Sequence, residues 1–489
     1  MAFWSLPTTR RRERFRDLNY RRLFRKPKRE KGDIIRGLTY CSRRSVLLTD
    51  EVLTTEGSSH IVPRSGHDIS RANISESALK VLYRLKSSGF EAFLVGGGVR
   101  DLLLGREPKD FDVATDAHPE KVASLFRNSR IIGRRFKLVH VRFGREIIEV
   151  ATFRSEHEAG EGQENHSSDG MILRDNVYGT LEEDAWRRDF TVNSLYYNIR
   201  DFSVVDYTSG LDDLKAGVLR VIGDAEQRYI EDPVRMLRAI RFAAKLGFHL
   251  HPGSEQPLAE LGERLESVPP ARLFDEILKL FLSGSAVATY ELLRHYDLFQ
   301  YLFPMTDASL TEEEDHFPHT MILRGLENTD ARIAEGKPVT PAFLFAVLLW
   351  EPVHNRAKRL QGEGLTEIQA LQLAGEEVVA LQALHIAIPK RFSLQTREIW
   401  SFQARLKRRN GKRAARLMEM SRFRAGYDFL LLRIEAGEED LRSLGDWWTE
   451  FQGSDEERRG AMASDAPAGK DRRRRRRRRR KTDKGKVDQ

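Results

Sequence analysis

The stretch that most restricts the fold runs from Ala92 to Thr115. A short apolar run, "AFLV", meets three consecutive glycines, Gly96 to Gly98, and "VRDLLLG" and "KDFDVAT" follow. An apolar strand ending in glycines that open a helix, with a second strand behind it, commits the region to a mixed α/β module. The flanks read the same way. "NISESALKVLYRLKSSGF" predicts a helix with Asn73 as its N-cap, and "HPEKVASLFRN" one with Asp116 as its cap and Pro119 in its first turn. "KLVHVRFGREIIEVATFR" reads as two strands joined by a tight turn at Gly144 and Arg145.

Beyond this module the periodicity changes. "SEHEAGEGQENHSSDG" is a polar loop expected to be mobile, and from about residue 225 to about 452 the chain reads mostly helical. The expected organisation is a basic, disordered extension (1–68), an α/β head with a mixed sheet (69–224), a helical neck (225–300) and an all-α body (301–452). A disordered Arg-rich tail (453–489) completes it.

Charge sharpens that division. The net charge of the 489 residues is +9, but residues 1–33 carry +8 and residues 470–489 carry +10, which leaves −9 for residues 34–469. An acidic body thus stands between two basic ends. Nine successive arginines, Arg472 to Arg480, repel one another and cannot bury a core, so a polyanion is their natural partner, with nucleic acid favoured over a solubilising or targeting role. A single cysteine, Cys41, excludes an internal disulfide framework and a cysteine-based zinc cluster. No apolar run reaches membrane-spanning length and no signal-peptide core is visible, so a soluble, intracellular and cytoplasmic chain is expected.

Candidate chemistry centres on Asp110 and Asp112. In a strand, residues i and i+2 face the same way, roughly 7 Å apart, so the two carboxylates can converge on magnesium, with manganese a possible substitute. Alone, such a pair is more often two solvated acids. Behind a strand, "VGGGVRD" adds backbone N–H groups able to approach phosphate closely, which favours a nucleoside triphosphate. The dinucleotide fingerprint fails, because Asp101 stands where its third glycine would be. A third acid could be Glu149, whose pleat neighbours Ile147 and Ala151 make a charge costly unless it is paired or metal-bound. Asp189, after Arg187 and Arg188, is the other candidate, though a salt bridge is its commoner fate. In "EDPVRMLRAIRF" Asp232 fits an N-cap, while Arg235, Arg238 and Arg241 form a ridge that could clamp phosphates.

In this order the pieces resemble the nucleotidyltransferase superfamily that includes DNA polymerase β, and within it the branch shared by bacterial poly(A) polymerases and CCA-adding tRNA nucleotidyltransferases. The matching runs are "LVGGGVRDLLLGREPKDFDVATD", "EIIEVATFR", "RRDFTVNSLYY", "DYTSGLDDL", "EDPVRMLRAIRFAAKLG" and "PPARLFDEILKL". "VPRSGHDIS", "AIPKRF" and the basic tail resemble the poly(A) polymerase subgroup. The resemblance implies a polymerase β-like head in which Asp110 and Asp112 bind magnesium, with Glu149 as third acid and Asp189 as a further catalytic residue. It implies nucleotide contacts from Gly96, Gly97, Arg100, Arg188, Asp232, Arg235, Arg238 and Arg241, and RNA binding by Arg472, Arg473, Arg474, Arg475, Arg476, Arg477, Arg478, Arg479 and Arg480. The implied activity is template-independent addition of AMP from ATP to RNA 3′ ends, promoting RNA turnover, with RNA-decay proteins as possible partners. CCA addition to tRNA is the nearest alternative, and non-catalytic RNA binding the alternative of another class.

Overall fold

A computed structural model describes residues 59–133, 137–155, 177–311 and 317–466. The head begins with β1 (His60–Val62) and α1 (Glu76–Ser87), then β2 (Ala92–Val95), α2 (Gly97–Leu103), β3 (Asp112–Thr115) and α3 (Pro119–Leu125). It continues with β4 (Ser129–Ile132), β5 (Leu138–Phe143), β6 (Glu146–Thr152), α4 (Leu181–Arg187), β7 (Leu195–Asn198), β8 (Val204–Asp206) and α5 (Gly210–Ala216). Among the described residues these strands make one eight-stranded sheet in the order β1-β8-β7-β2-β3-β6-β5-β4. Among the described residues of this sheet, β3 and β6 pair in parallel and every other neighbouring pair is antiparallel.

Alternation decides which residues each face buries. Leu94, Val113, Val139, Val141, Ile148 and Val150 pack with Ala78, Val81, Leu82 and Leu85 of α1 in the main core. On the opposite face, Phe93, Val95, Ala114, Tyr196 and Val205 form a smaller cluster with Ala185 and Leu181 of α4. That second face carries Asp112, one pleat before Ala114, and so carries the candidate site. Toward the β4 edge it opens to solvent: Ile147 is 37% exposed.

Two cap assignments change. Ser75, not Asn73, caps α1, its hydroxyl accepting the Ala78 N–H; Asn73 ends a preceding 3-10 turn. His118 stands at the N-cap of α3, and Asp116 instead accepts the Glu91 N–H at 2.8 Å, tying β3 to the entrance of β2. The turn at Gly144 and Arg145 stands as read, with Gly144 in the left-handed region.

After the head come α6 (Ala225–Glu231), α7 (Val234–Leu246), α8 (Pro270–Phe281) and a succession of helices to Asp465. α7 buries Met236, Leu237, Ile240 and Phe242 and ends at Gly247 in the left-handed region. Its N-cap is Pro233 without a side-chain cap bond, so Asp232 does not cap it. Two elements fall in stretches read as extension and tail: β1 pairs with β8, and Glu456–Asp465 is a helix. A further helix spans Phe317–Ala334. The extension before residue 59, the polar segment 156–176 and the arginines Arg472 to Arg480 lie outside the described residues.

Candidate active site

The sheet register brings one row of residues together. Val95, the last residue of β2, pairs with Asp112, and Asp112 pairs with Glu149 across the parallel junction. Gly96 follows at once and turns the chain into α2 with φ +75°, a conformation that costs a side chain about 1–2 kcal/mol. A methyl group there would stand 3.8 Å from both Asp112 Oδ2 and Arg188 Nη1. The missing side chain therefore leaves a small space bordered by a carboxylate and a guanidinium.

The carboxylates carry more negative charge than their surroundings neutralise. Asp112 has its pKa raised to about 6, first by burial, then by the charge of Glu149 and, more weakly, Asp110, with Arg188 opposing. Asp110 is exposed and sits just before β3, so the strand geometry read for the pair begins only at Asp112. Glu149 is 48% exposed and bonds His140 Nε2 at 3.1 Å. The face it occupies is open, so burial does not force it onto a cation. Among the described residues no group of three or more His, Cys, Asp or Glu is close enough to hold a metal. The donor set nonetheless fits magnesium, which takes one or two carboxylates and completes its shell with water and substrate phosphates.

The arginines divide into held and available cations. Arg188 is fixed by Asp184 (2.9 Å from Nη2) and donates from Nε to the Tyr196 hydroxyl at 2.7 Å. Burial opposes its charge, but Tyr196 and Asp184 outweigh that and hold its pKa above the ordinary value. Arg100 is 2% exposed and donates to Asn193 Oδ1 at 2.5 Å and to Asp101 Oδ1 at 2.7 Å. Its fork is thus spent inside the protein, beneath Gly97, whose Cβ position would lie 3.4 Å from Arg100 Nη2.

Asp189 also has an internal partner. It accepts from Arg238 Nε at 2.8 Å and from Arg238 Nη2, and from the Phe190 N–H at 2.9 Å. Burial would raise its pKa, but Arg238 and Arg235 hold it below the usual carboxylate range. Asp232 pairs with Arg272 of α8 at 2.7 Å. Arg235 bonds the Arg228 carbonyl, and burial followed by Arg228 lowers its pKa to about 10. Arg241 differs from its neighbours: its buried Nε lacks a hydrogen-bond partner and its guanidinium lies 4.6 Å from the Phe242 ring. Burial, then Arg238, lowers its pKa, against the opposing charges of Glu276 and Asp189. Sequence reasoning passed over Asp184, Asn193, Tyr196 and Arg272; "RRDFTVNSLYY" contains two of them, but nothing local marks them as anchors.

Comparison with known proteins places this geometry. Residues 92–220 match the family described as Poly A polymerase head domain. Residues 247–310 match "probable RNA and SrmB- binding site of polymerase A", and residues 363–482 "Polymerase A arginine-rich C-terminus". The chain is 51% identical over 421 residues to Poly(A) polymerase I of Salmonella typhimurium, covering 84% of this chain and 90% of that one. Against Poly(A) polymerase I of Haemophilus influenzae it is 49% identical over 404 residues, covering 82% and 89%. A CCA-adding enzyme of Lactobacillus helveticus is 40% identical over 203 residues, only 42% of this chain. The solved CCA-adding enzyme of Bacillus stearothermophilus in complex with CTP shares the fold, with TM-score 0.51, 24% identity and coverage of 78% and 82%. With about half its residues identical across nine-tenths of a relative's length, the chain belongs to the poly(A) polymerase family of nucleotidyltransferases.

Proposed function

We propose that this chain transfers AMP from ATP to the 3′-hydroxyl of RNA without a template, and that the row Gly96–Asp112–Glu149 is where the bond forms. The observation that carries the reading is the convergence of Asp112 and Arg188 on the space at Gly96. A triphosphate there lies against a fixed cation on one side and the carboxylates on the other. The RNA hydroxyl oxygen attacks the α-phosphorus in line, a new phosphodiester forms, and pyrophosphate leaves. Asp110 and Asp112 would hold magnesium, which would supply polarisation of the hydroxyl and neutralise charge on the pyrophosphate.

The protein's own groups hold the reactants. Arg188, locked by Asp184 and Tyr196, presents Nη1 to the phosphates or sugar, and the partly exposed Arg241 guanidinium faces the departing end. Asp189 is a positioning residue that aims Arg238, and Arg100 supports the Gly96–Gly97 turn from below. Asp232, fixed by Arg272, would read a base edge. RNA upstream of the 3′ end would follow the helical body and the arginines Arg472 to Arg480. No helix among the described residues is long and apolar enough to cross a membrane. We place the activity in the cytoplasm, in RNA turnover alongside RNA-decay proteins.

CCA addition is less well supported, since the relatives so named match about half of the chain or less. The test incubates purified protein and magnesium with ATP or CTP, on generic RNA or on tRNA lacking its 3′ end. A long ladder with ATP on generic RNA is expected, and Asp110→Ala abolishes it. Growth by a fixed increment on tRNA alone, or activity unchanged by Asp110→Ala, would sink the reading.

A further inference from the structure

We infer that the exposed outer face of β4 and β5 is the track on which the last nucleotides of the RNA primer lie as their 3′ end is presented to the carboxylates. The sheet register supplies the geometry. The row that contains Asp112 and Glu149 continues to His140 on β5 and Arg130 on β4. Paired residues on adjacent strands project to the same face. Arg142, two residues beyond His140, shares this face and pairs with Ile147 on β6. Three strand spacings separate Arg130 from Asp112, about 14 Å. That is a reach of a few nucleotides of single strand.

The chemistry of this face fits a phosphodiester backbone. Arg130 and Arg142 are exposed, and among the described residues neither has a carboxylate partner. Several arginines elsewhere in the head and neck are spent on carboxylates: Arg100 on Asp101, Arg188 on Asp184, Arg220 on Asp213, Arg238 on Asp189, Arg272 on Asp232. The back faces of β5 and β6 are apolar and buried, through Val139, Val141 and Ile148. Ile147, 37% exposed, gives a base or ribose an apolar surface beside Arg142. Glu149 is the acid in the row, and it lies at the end nearest Asp112, held by His140.

Position decides between the two reactants. The nucleotide side of Asp112 is occupied by Gly96 and Arg188, across β2. The remaining approach along the row is from β4 toward β6, and an attacking hydroxyl must arrive from somewhere other than the triphosphate. This assignment rests on the proposed chemistry at Asp110 and Asp112.

The test uses the full chain and a short oligoadenylate primer. Arg130→Gln with Arg142→Gln is expected to raise the KM for primer about tenfold while the KM for ATP stays within twofold. It should also flatten the salt dependence of primer binding by about 1.4 in log–log slope, from roughly 0.7 per lost phosphate contact. Arg130→Lys with Arg142→Lys should restore most of the primer affinity, which a folding defect would not. An unchanged primer KM and salt slope in the glutamine variant would overturn the track, including in favour of a protein partner for this face. Activity surviving Asp110→Ala would instead remove the reading on which it rests, so the two failures are separable.

Discussion

Removing the charge of Asp189 distinguishes a residue that aims an arginine from one that touches the reacting atoms. Asp189→Asn keeps the shape and the acceptor for the Phe190 N–H, but leaves Arg238 facing a neutral group. Breaking a buried ion pair costs about 3–5 kcal/mol, whereas exposed pairs are worth about 0–1. Here the aspartate is 14% exposed and the arginine 35%, which places the loss between the two, at about 2 kcal/mol. A domain of this size loses about 2–4 °C per kcal/mol, so calorimetry should record a fall of about 4–8 °C in the transition containing the head. Arg238→Gln removes the same interaction, so the double variant should melt close to the single ones. Kinetically, Asp189→Asn should raise the KM for ATP about tenfold with a smaller change in kcat. Asp110→Asn should abolish kcat and leave the melting temperature unchanged or higher. Independent, additive losses in the cycle, or an Asp189→Asn variant as stable as the parent, would refute the assignment.

The raised pKa of Asp112 gives a proton linkage. Its unfolded value is 3.8 and its folded value about 6, so the ligand-free protein gains stability from this group as pH falls from 6 toward 4, and loses that share as pH rises through 6. Magnesium needs the carboxylate ionised, so titration calorimetry in two buffers near pH 6 should show proton release on binding, absent in Asp112→Asn. Gly96→Ala should raise the KM for ATP in initial-rate assays, because the methyl enters the space shared by Asp112 and Arg188 and forces a strained φ; an unchanged KM would place the phosphates elsewhere.

Much of the head was legible because its signals are local. Apolar alternation located β5 and β6, Gly144 their turn, and the glycines after "AFLV" the start of α2. The side chains around the nucleotide were harder, because their partners are distant in sequence. Asp189 meets Arg238 across 49 residues, Asp232 meets Arg272 across 40, and Arg100 meets Asn193 across 93. Spacing on a helix revealed the Arg235–Arg238–Arg241 ridge, but not that only Arg241 keeps an unspent buried nitrogen. Glu149 read as an acid under burial pressure because its neighbours are apolar; the open outer face of the sheet removes that pressure, and His140 takes the carboxylate.

The parallel junction between β3 and β6 makes the chemistry dependent on residues that never meet a substrate. Asp112 and Glu149 stand side by side because Val113 is matched to Val150 and Ala114 to Ala151. A one-residue slip in β6 would send Glu149 into the core and bring Ile148 or Val150 to the catalytic face. Ile148 and Val150, fully buried against the helices, resist that slip because exposing them costs about 1.5–3 kcal/mol each. Packing on the back of the sheet therefore acts as the alignment gauge for the acids on its front, and volume changes at Ile148 or Val150 should be felt as lost turnover before they are felt as lost fold.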